Sequence, residues 1–311
     1  MGGDADLNLE EERTSDGPDR AEVTVVVPFR NSGPLLAQAC SSLQRQSDHH
    51  WRAVLVNDQS DADSLLQART IADQDQRFRV LHVPDAPHAP GPWLARNVGI
   101  AATQTALVAF LDADDLWHPD KLREQLPLHR DDAAELSVTG YHRFRRGANG
   151  WQVMHTRIPP AQMDLGRLLR GNMIPLSSTI VATDLLRQEI GPNEEAASGP
   201  FRPEHHEDYG LWLRLFARRS QLRYSCLPEP LMAYRLHADS ISAQRWRSHR
   251  AVSRLLSQHC RHPLHQGLLL GRWAAARLGV QLIEARPARH KEPLPRAYSD
   301  LLEPSHGRLS P

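Results

Sequence analysis

Short runs of unbroken apolar residues, each ending abruptly in polar ones, constrain this 311-residue chain more than any other feature. Residues 23–27 (VTVVV), 53–56 (AVLV) and 107–111 (LVAFL) are continuous rather than alternating. That pattern marks strands buried on both faces, as in a parallel sheet. Between them lie helical spacings. Gly33-Pro34 opens a helix carrying Leu36, Ala39, Cys40 and Leu43 on one face. Residues 61–77 read as a more polar helix, 80–83 as a further strand and 93–103 as another helix. Strand and helix alternating at this pitch predict βαβ units, and so an α/β fold with an open sheet and helices on both faces.

The second half is less regular. Residues 136–144 and 151–156 flank a hairpin turn at 147–150, and 177–181 read as another strand. Residues 207–218 form an amphipathic helix through Leu211, Leu215 and Phe216, while 222–234 read as extended. The divisions expected are an acidic disordered tail over 1–20, a main domain over 21–242, a helical extension over 243–285 and a flexible Arg/Pro-rich tail over 286–311.

Charge narrows the function. The 37 basic and 37 acidic side chains cancel, which argues against a nucleic-acid binder driven by bulk charge. The longest apolar stretch, 268–280, is interrupted by Arg272 and Arg277, short of a membrane span. The first 20 residues lack the basic and apolar regions of a signal peptide. Cys40, Cys226 and Cys260 are scattered and odd in number, which fits reduced thiols and a cytoplasmic location.

In an open α/β sheet, ligands bind beyond the carboxyl ends of the strands. Pro28-Phe29-Arg30-Asn31 follows the first strand, Asn57-Asp58-Gln59-Ser60 the second, and Asp112-Ala113-Asp114-Asp115 the fourth. Neither GxGxxG nor GxxxxGK[ST] occurs, so no glycine cradle is available for phosphates. A diphosphate held without one needs a cation, and the aspartates supply hard oxygen ligands for Mg²⁺ or Mn²⁺.

The ordered set VVVPFRN (25–31), VNDQSDAD (56–63), GPWLARNVGIA (91–101), FLDADDLWHPDKL (110–122), HEDYGLWLRL (206–215) and YRLHADSIS (234–242) resembles family 2 glycosyltransferases of the GT-A fold. The resemblance implies an open, mixed, mostly parallel sheet with helices on both faces. It also implies inverting transfer of a sugar from a nucleotide diphosphate sugar, with a UDP-sugar favoured. On it, Asp58 meets the nucleobase, Arg96 and Asn97 face the base and ribose, and Asp112 lies nearest the ribose. Pro28, Asn31 and Ala113 join the nucleotide-sugar site, and Asp115 and Trp117 face the donor sugar or acceptor. Asp114 and His237 become metal ligands, and the imidazole favours Mn²⁺ over Mg²⁺. Asp208 takes the role of catalytic base, with Glu207 orienting it or binding acceptor hydroxyls. One position departs from the family's Asp-Asp-Gly-Ser: this chain has Asn57-Asp58-Gln59-Ser60.

Residues 241–311 carry twelve Arg or Lys against four acids, interleaved with leucines and Trp273. They read either as a helical pair packed on the domain or as peripheral contact with the inner face of the membrane, which would suit a lipid-linked glycan acceptor of surface polysaccharide synthesis. No nucleic-acid partner is expected. A catalytically silent nucleotide-sugar-binding scaffold on the same fold is the competing reading.

Overall fold

In strand β1 (Val23–Phe29) every residue is buried, and alternate side chains enter two different cores. Val26 packs with Val54, Phe110, Leu94 and Trp212 on one face, and Val25 and Val27 with Leu55, Leu36 and Leu43 on the other. A strand covered on both sides has no use for alternation, which is why its sequence is apolar throughout. The computed structural model describes residues 21–84, 91–148, 150–189, 199–237, 245–260, 263–284 and 292–302.

Beside β1 lie β2 (Trp51–Asn57), β3 (Phe78–His82) and β4 (Leu107–Phe110), all parallel, in the order β3-β2-β1-β4. The connecting helices are α1 (Gly33–Gln44), α2 (Ala62–Gln74) and α3 (Trp93–Ala101). Gly99 lets α3 lie against β1, since a Cβ there would overlap the Val26 side chain.

The sheet then turns mixed. The remaining strands are β5 (Leu116–Trp117), β6 (Leu136–Gly147), β7 (Gly150–Arg157), β8 (Ile180–Ala182) and β9 (Tyr224–Arg235). Antiparallel β8 joins β4, β6 follows, β9 runs parallel to β6, and β5 closes the order. The expected hairpin is β6–β7. Short helices α4 (Lys121–Gln125), α5 (Pro127–Arg130), α6 (Leu165–Leu168) and α7 (Thr183–Arg187) fill the connections before α8 (Glu207–Arg218). The segment expected as a strand at 177–181 begins as a 3-10 turn, Leu176–Ser178, so the strand there is only β8.

The C-terminal extension is two helices, α9 (Arg245–His259) and α10 (Pro263–Glu284). Val252, Leu255, Leu256 and Leu269 bury themselves in the same core as α8. Among the described residues no helix is long and apolar enough to cross a membrane. Residues 292–302 are not a flexible tail: Leu294, Tyr298, Leu301 and Leu302 form a third core with Phe144 and Val153, around helix α11 (Arg296–Ser299). The Tyr298 hydroxyl donates to the Pro230 carbonyl at 2.7 Å, so an aromatic anchor outweighs the local Pro/Arg composition. The acidic 1–20 segment and residues 286–291 and 303–311 lie outside the described residues.

Candidate active site

The carboxyl ends of β1, β2 and β4 open on one edge, and the C-terminal end of β9 and the start of α8 converge there. Of the four described non-glycine residues with left-handed φ, three lie at the same edge and Ala133 lies before β6. Asn31, Gln59 and His206 all adopt left-handed φ, at 50°, 53° and 64°, a region side-chain-bearing residues rarely enter without a compensating constraint. At Asn31 the constraint is visible: its Oδ1 accepts from the Asp61 N–H at 2.8 Å and its own N–H donates to Ser60 Oγ at 3.2 Å. Asn31 thus ties the loop after β1 to the loop after β2. Gln59 stands where the family has glycine, and its φ gives the reason for that preference.

Asp58 is 4% exposed at the end of β2, its carboxylate 3.8 Å from the half-exposed Arg30 guanidinium. Neighbouring Asn57 uses Oδ1 to accept from the Ser60 N–H and shares a 3.2 Å hydrogen bond with His82.

The centre of the site is Arg96, 4% exposed on α3. It donates through Nη2 to Asp112 at 2.6 Å and through Nη1 to Glu207, so one guanidinium joins the acidic loop after β4 to the first turn of α8. Burial works against its charge, but Asp112 and Glu207 outweigh that and hold it cationic. Burial raises the Asp112 carboxyl above the ordinary range, with Arg96 opposing and Asp114 reinforcing. Burial likewise raises Asp208, opposed by Arg96 and by an Asn172 amide donating to Oδ2 at 2.9 Å. No ion pair to Asp208 occurs among the described residues.

Asp114 and His237 meet at 2.7 Å, Nε2 to Oδ2, both about two-fifths exposed. Asp115 is 1% exposed, its Oδ1 accepting from the Arg235 backbone N–H at 3.1 Å. Its carboxyl stands well above the ordinary range because of burial and the charges of Asp114 and Asp112. Arg235 grips the same loop again, Nε donating to the Asp114 carbonyl at 2.9 Å and Nη2 to Gln38 at 2.8 Å.

Several expected residues have side chains engaged in the protein interior. Trp117 is fully buried, with Nε1 donating to the Ser177 carbonyl at 2.7 Å, so it is core and not a sugar contact. The Ala113 side chain packs into the second core, and Pro28 is enclosed within β1 opposite Val56. Both ends of the Asn97 amide bond the Phe201 backbone, at 2.8 and 3.0 Å, which fixes the segment leading to α8. Arg235, Asn172 and Ser177, whose Oγ accepts from the Asp112 N–H at 3.1 Å, are the positions the sequence reading missed. Arg235 lay in plain view inside YRLH; the other two carry no local signal.

Could this edge hold a metal and a nucleotide? No group of three or more His, Cys, Asp or Glu side chains placed to hold a metal ion by themselves occurs among the described residues. The Asp114–His237 pair nevertheless fits a cation that takes its other ligands from diphosphate oxygens and water, the usual arrangement for Mg²⁺ and its analogues. Two buried polar atoms here, Arg96 Nε and Asp115 Oδ2, have no hydrogen-bond partner among the described residues. They leave polar capacity that a bound ligand would fill.

An open mixed sheet with an acidic loop after its fourth strand and a carboxylate pair opening a late helix defines a GT-A glycosyltransferase. Residues 24–190 match the profile of glycosyl transferase family 2, and the chain belongs to that family. It is 27% identical over 230 residues to TuaG of Bacillus subtilis, named for teichuronic acid biosynthesis, covering 73% of this chain and 83% of that one. It is 23% identical over 242 residues to Escherichia coli WfgD, named as a UDP-Glc:α-D-GlcNAc-diphosphoundecaprenol β-1,3-glucosyltransferase, covering 78% and 88%. Residues 1–349 of Staphylococcus aureus TarS superpose with a TM-score of 0.58 at 19% identity, over 83% of this chain and 72% of that one. Glucosyl-3-phosphoglycerate synthase of Mycobacterium tuberculosis, solved with Mn²⁺ and UDP, superposes at 0.53 and 20% identity, over 77% and 80%.

Proposed function

We propose that the chain transfers a sugar, with inversion, from a UDP-sugar to a hydroxyl of a lipid-linked glycan during surface polysaccharide synthesis, on the cytoplasmic side of the membrane. The observation that carries the reading is the Arg96 bridge. It fixes Asp112, on the donor side, and Glu207, on the acceptor side, in one rigid frame, and Asp208, next to Glu207, has no ion pair among the described residues.

On this reading Asp58 accepts from the base, Asp112 from the ribose, and Asp114 with His237 holds Mn²⁺ or Mg²⁺. Bound there, the cation would neutralise charge on the departing diphosphate. Inverting transfer is a single displacement. The acceptor oxygen forms its bond to the anomeric carbon as the bond to the diphosphate breaks, and the acceptor proton passes to Asp208. Desolvation raises the affinity of that carboxylate for a proton, and the Arg96 charge and the Asn172 amide oppose the rise. Glu207 is a positioning residue held by Arg96. The relatives' names support the polymer and lipid-linked acceptor, and the Mn²⁺ complex of a fold neighbour supports the metal.

A thermal-shift panel of nucleotide diphosphates and nucleotide sugars with Mn²⁺ tests the donor side. A ligand at 100 times its Kd stabilises by about 2.7 kcal/mol. UDP and one UDP-sugar should give such a shift, and EDTA should remove it. A shift with GDP or ADP species but not UDP would overturn the choice of base, and equal shifts in excess EDTA would overturn the metal.

A further inference from the structure

Helix α10 has two unlike sides. Leu269 is 6% exposed and Trp273 is partly buried beside it, both turned to the core. Leu264 and Leu268, 75% and 68% exposed, are the most exposed large apolar side chains among the described residues. At about 100° per residue, Leu264, Leu268 and Ala275 share one narrow sector of the helix, and exposed His265 and Arg272 run along its edge.

The charge of the hairpin says what such a face can meet. From Arg245 to Glu284 the sequence holds seven arginines and four histidines against one acid, Glu284 at the far end of α10. Arg250 and Arg254 stand exposed one turn apart on α9. A second copy docked here would set arginines against arginines. An anionic lipid surface accepts both the leucines and the charge.

Trp273 lies beside Gly171, the residue before Asn172, whose amide holds Asp208. The inner side of α10 therefore backs onto the loop that flanks the expected base. We propose that the α9–α10 hairpin docks this enzyme on an anionic bilayer, with Leu264 and Leu268 entering the interface and Arg250, Arg254 and Arg272 meeting lipid phosphates. The consequence for function, delivery of a lipid-linked acceptor to Asp208, rests on the reading above; the docking itself does not.

Sedimentation of the full chain with vesicles of phosphatidylcholine, alone or mixed with phosphatidylglycerol, tests it. The wild type should partition to the anionic vesicles only, and less as salt rises. Leu264→Ser with Leu268→Ser should lower partitioning about tenfold. Arg250→Gln, Arg254→Gln and Arg272→Gln together should lower it by roughly fivefold per arginine and flatten the salt dependence. All five side chains are exposed, and an unchanged thermal midpoint verifies that each variant is folded. Absence of vesicle binding by the wild type, or binding that both variants retain, overturns the proposal. So does a concentration-dependent dimer that the Leu→Ser pair abolishes without any vesicle binding, which would give the face to a second copy. Vesicle binding by a protein that transfers no sugar would leave the docking standing and count against the transfer reading alone.

Discussion

Replacing Arg96 by methionine removes the guanidinium shared by Asp112 and Glu207 while keeping much of the apolar stem. The magnitude follows from burial. Two charge-assisted hydrogen bonds are worth about 1.5–3 kcal/mol each. The Asp112 side chain is 31% exposed and Glu207 13%, so water recovers part of the first and little of the second. About 3–5 kcal/mol is therefore expected, the usual result of stranding a buried charge. At roughly 2–4 °C per kcal/mol that is a fall of some 6–20 °C in the unfolding midpoint. The loss should depend on pH, and its sign can be worked out. Arg96 now lowers the Asp112 carboxyl against burial; without it that carboxyl rises further above its unfolded value. A carboxyl raised on folding makes the native state hold more protons than the unfolded chain, so stability falls as pH rises through that interval. The deficit of Arg96→Met relative to wild type should accordingly be smaller at acid pH than at mildly alkaline pH. Arg96→Lys should recover only part of it, because one ammonium cannot fork to both carboxylates. Denaturant unfolding at the two pH values decides. A deficit below about 1 kcal/mol, or one independent of pH, would refute the view of Arg96 as the buried bridge.

Two further outcomes follow from named contacts. Gln59→Gly relieves a left-handed φ at an exposed position and should stabilise by about 1 kcal/mol, read by denaturant melts; destabilisation would mean that the side chain, not the backbone, sets that turn. Asn172→Ala removes a hydrogen bond that lowers the Asp208 carboxyl, so the acidic limb of the turnover profile should move to higher pH while donor affinity stays within a few-fold. An unmoved limb would separate Asn172 from the base.

The parts of this molecule legible in its sequence are those with local causes. β1, β2 and β4 announce themselves because burial on both faces demands apolar residues without interruption, and the acidic loop follows from where the fourth run stops. Long-range contacts left no such trace. Arg235 reaches Asp114 across 121 positions and Asn97 reaches Phe201 across 104, and no periodicity connects residues so far apart. Trp117 was misread because it neighbours the aspartates, although a two-residue strand points it into the core. Within the helical pair expected after residue 242, proline at position 263 sets the start of α10, since it cannot continue a preceding helix but suits a first turn. Residues 292–302 read as tail because Tyr298 and Leu302 have no amphipathic run around them, only a distant hollow to fill.

The central claim is that Asp114 serves donor and metal while Asp208 serves the acceptor's proton. Release of UDP from the preferred UDP-sugar in Mn²⁺, measured beside UDP binding on the same preparations, tests it directly. Asp208→Asn should cut turnover by about 10²- to 10⁴-fold and leave UDP affinity within a few-fold. Asp114→Asn should lose both turnover and affinity. If Asp208→Asn keeps more than about a tenth of wild-type turnover with chemistry limiting, this carboxylate is not the base. If Asp114→Asn binds UDP and Mn²⁺ as the wild type does, the division of labour proposed for this edge is wrong.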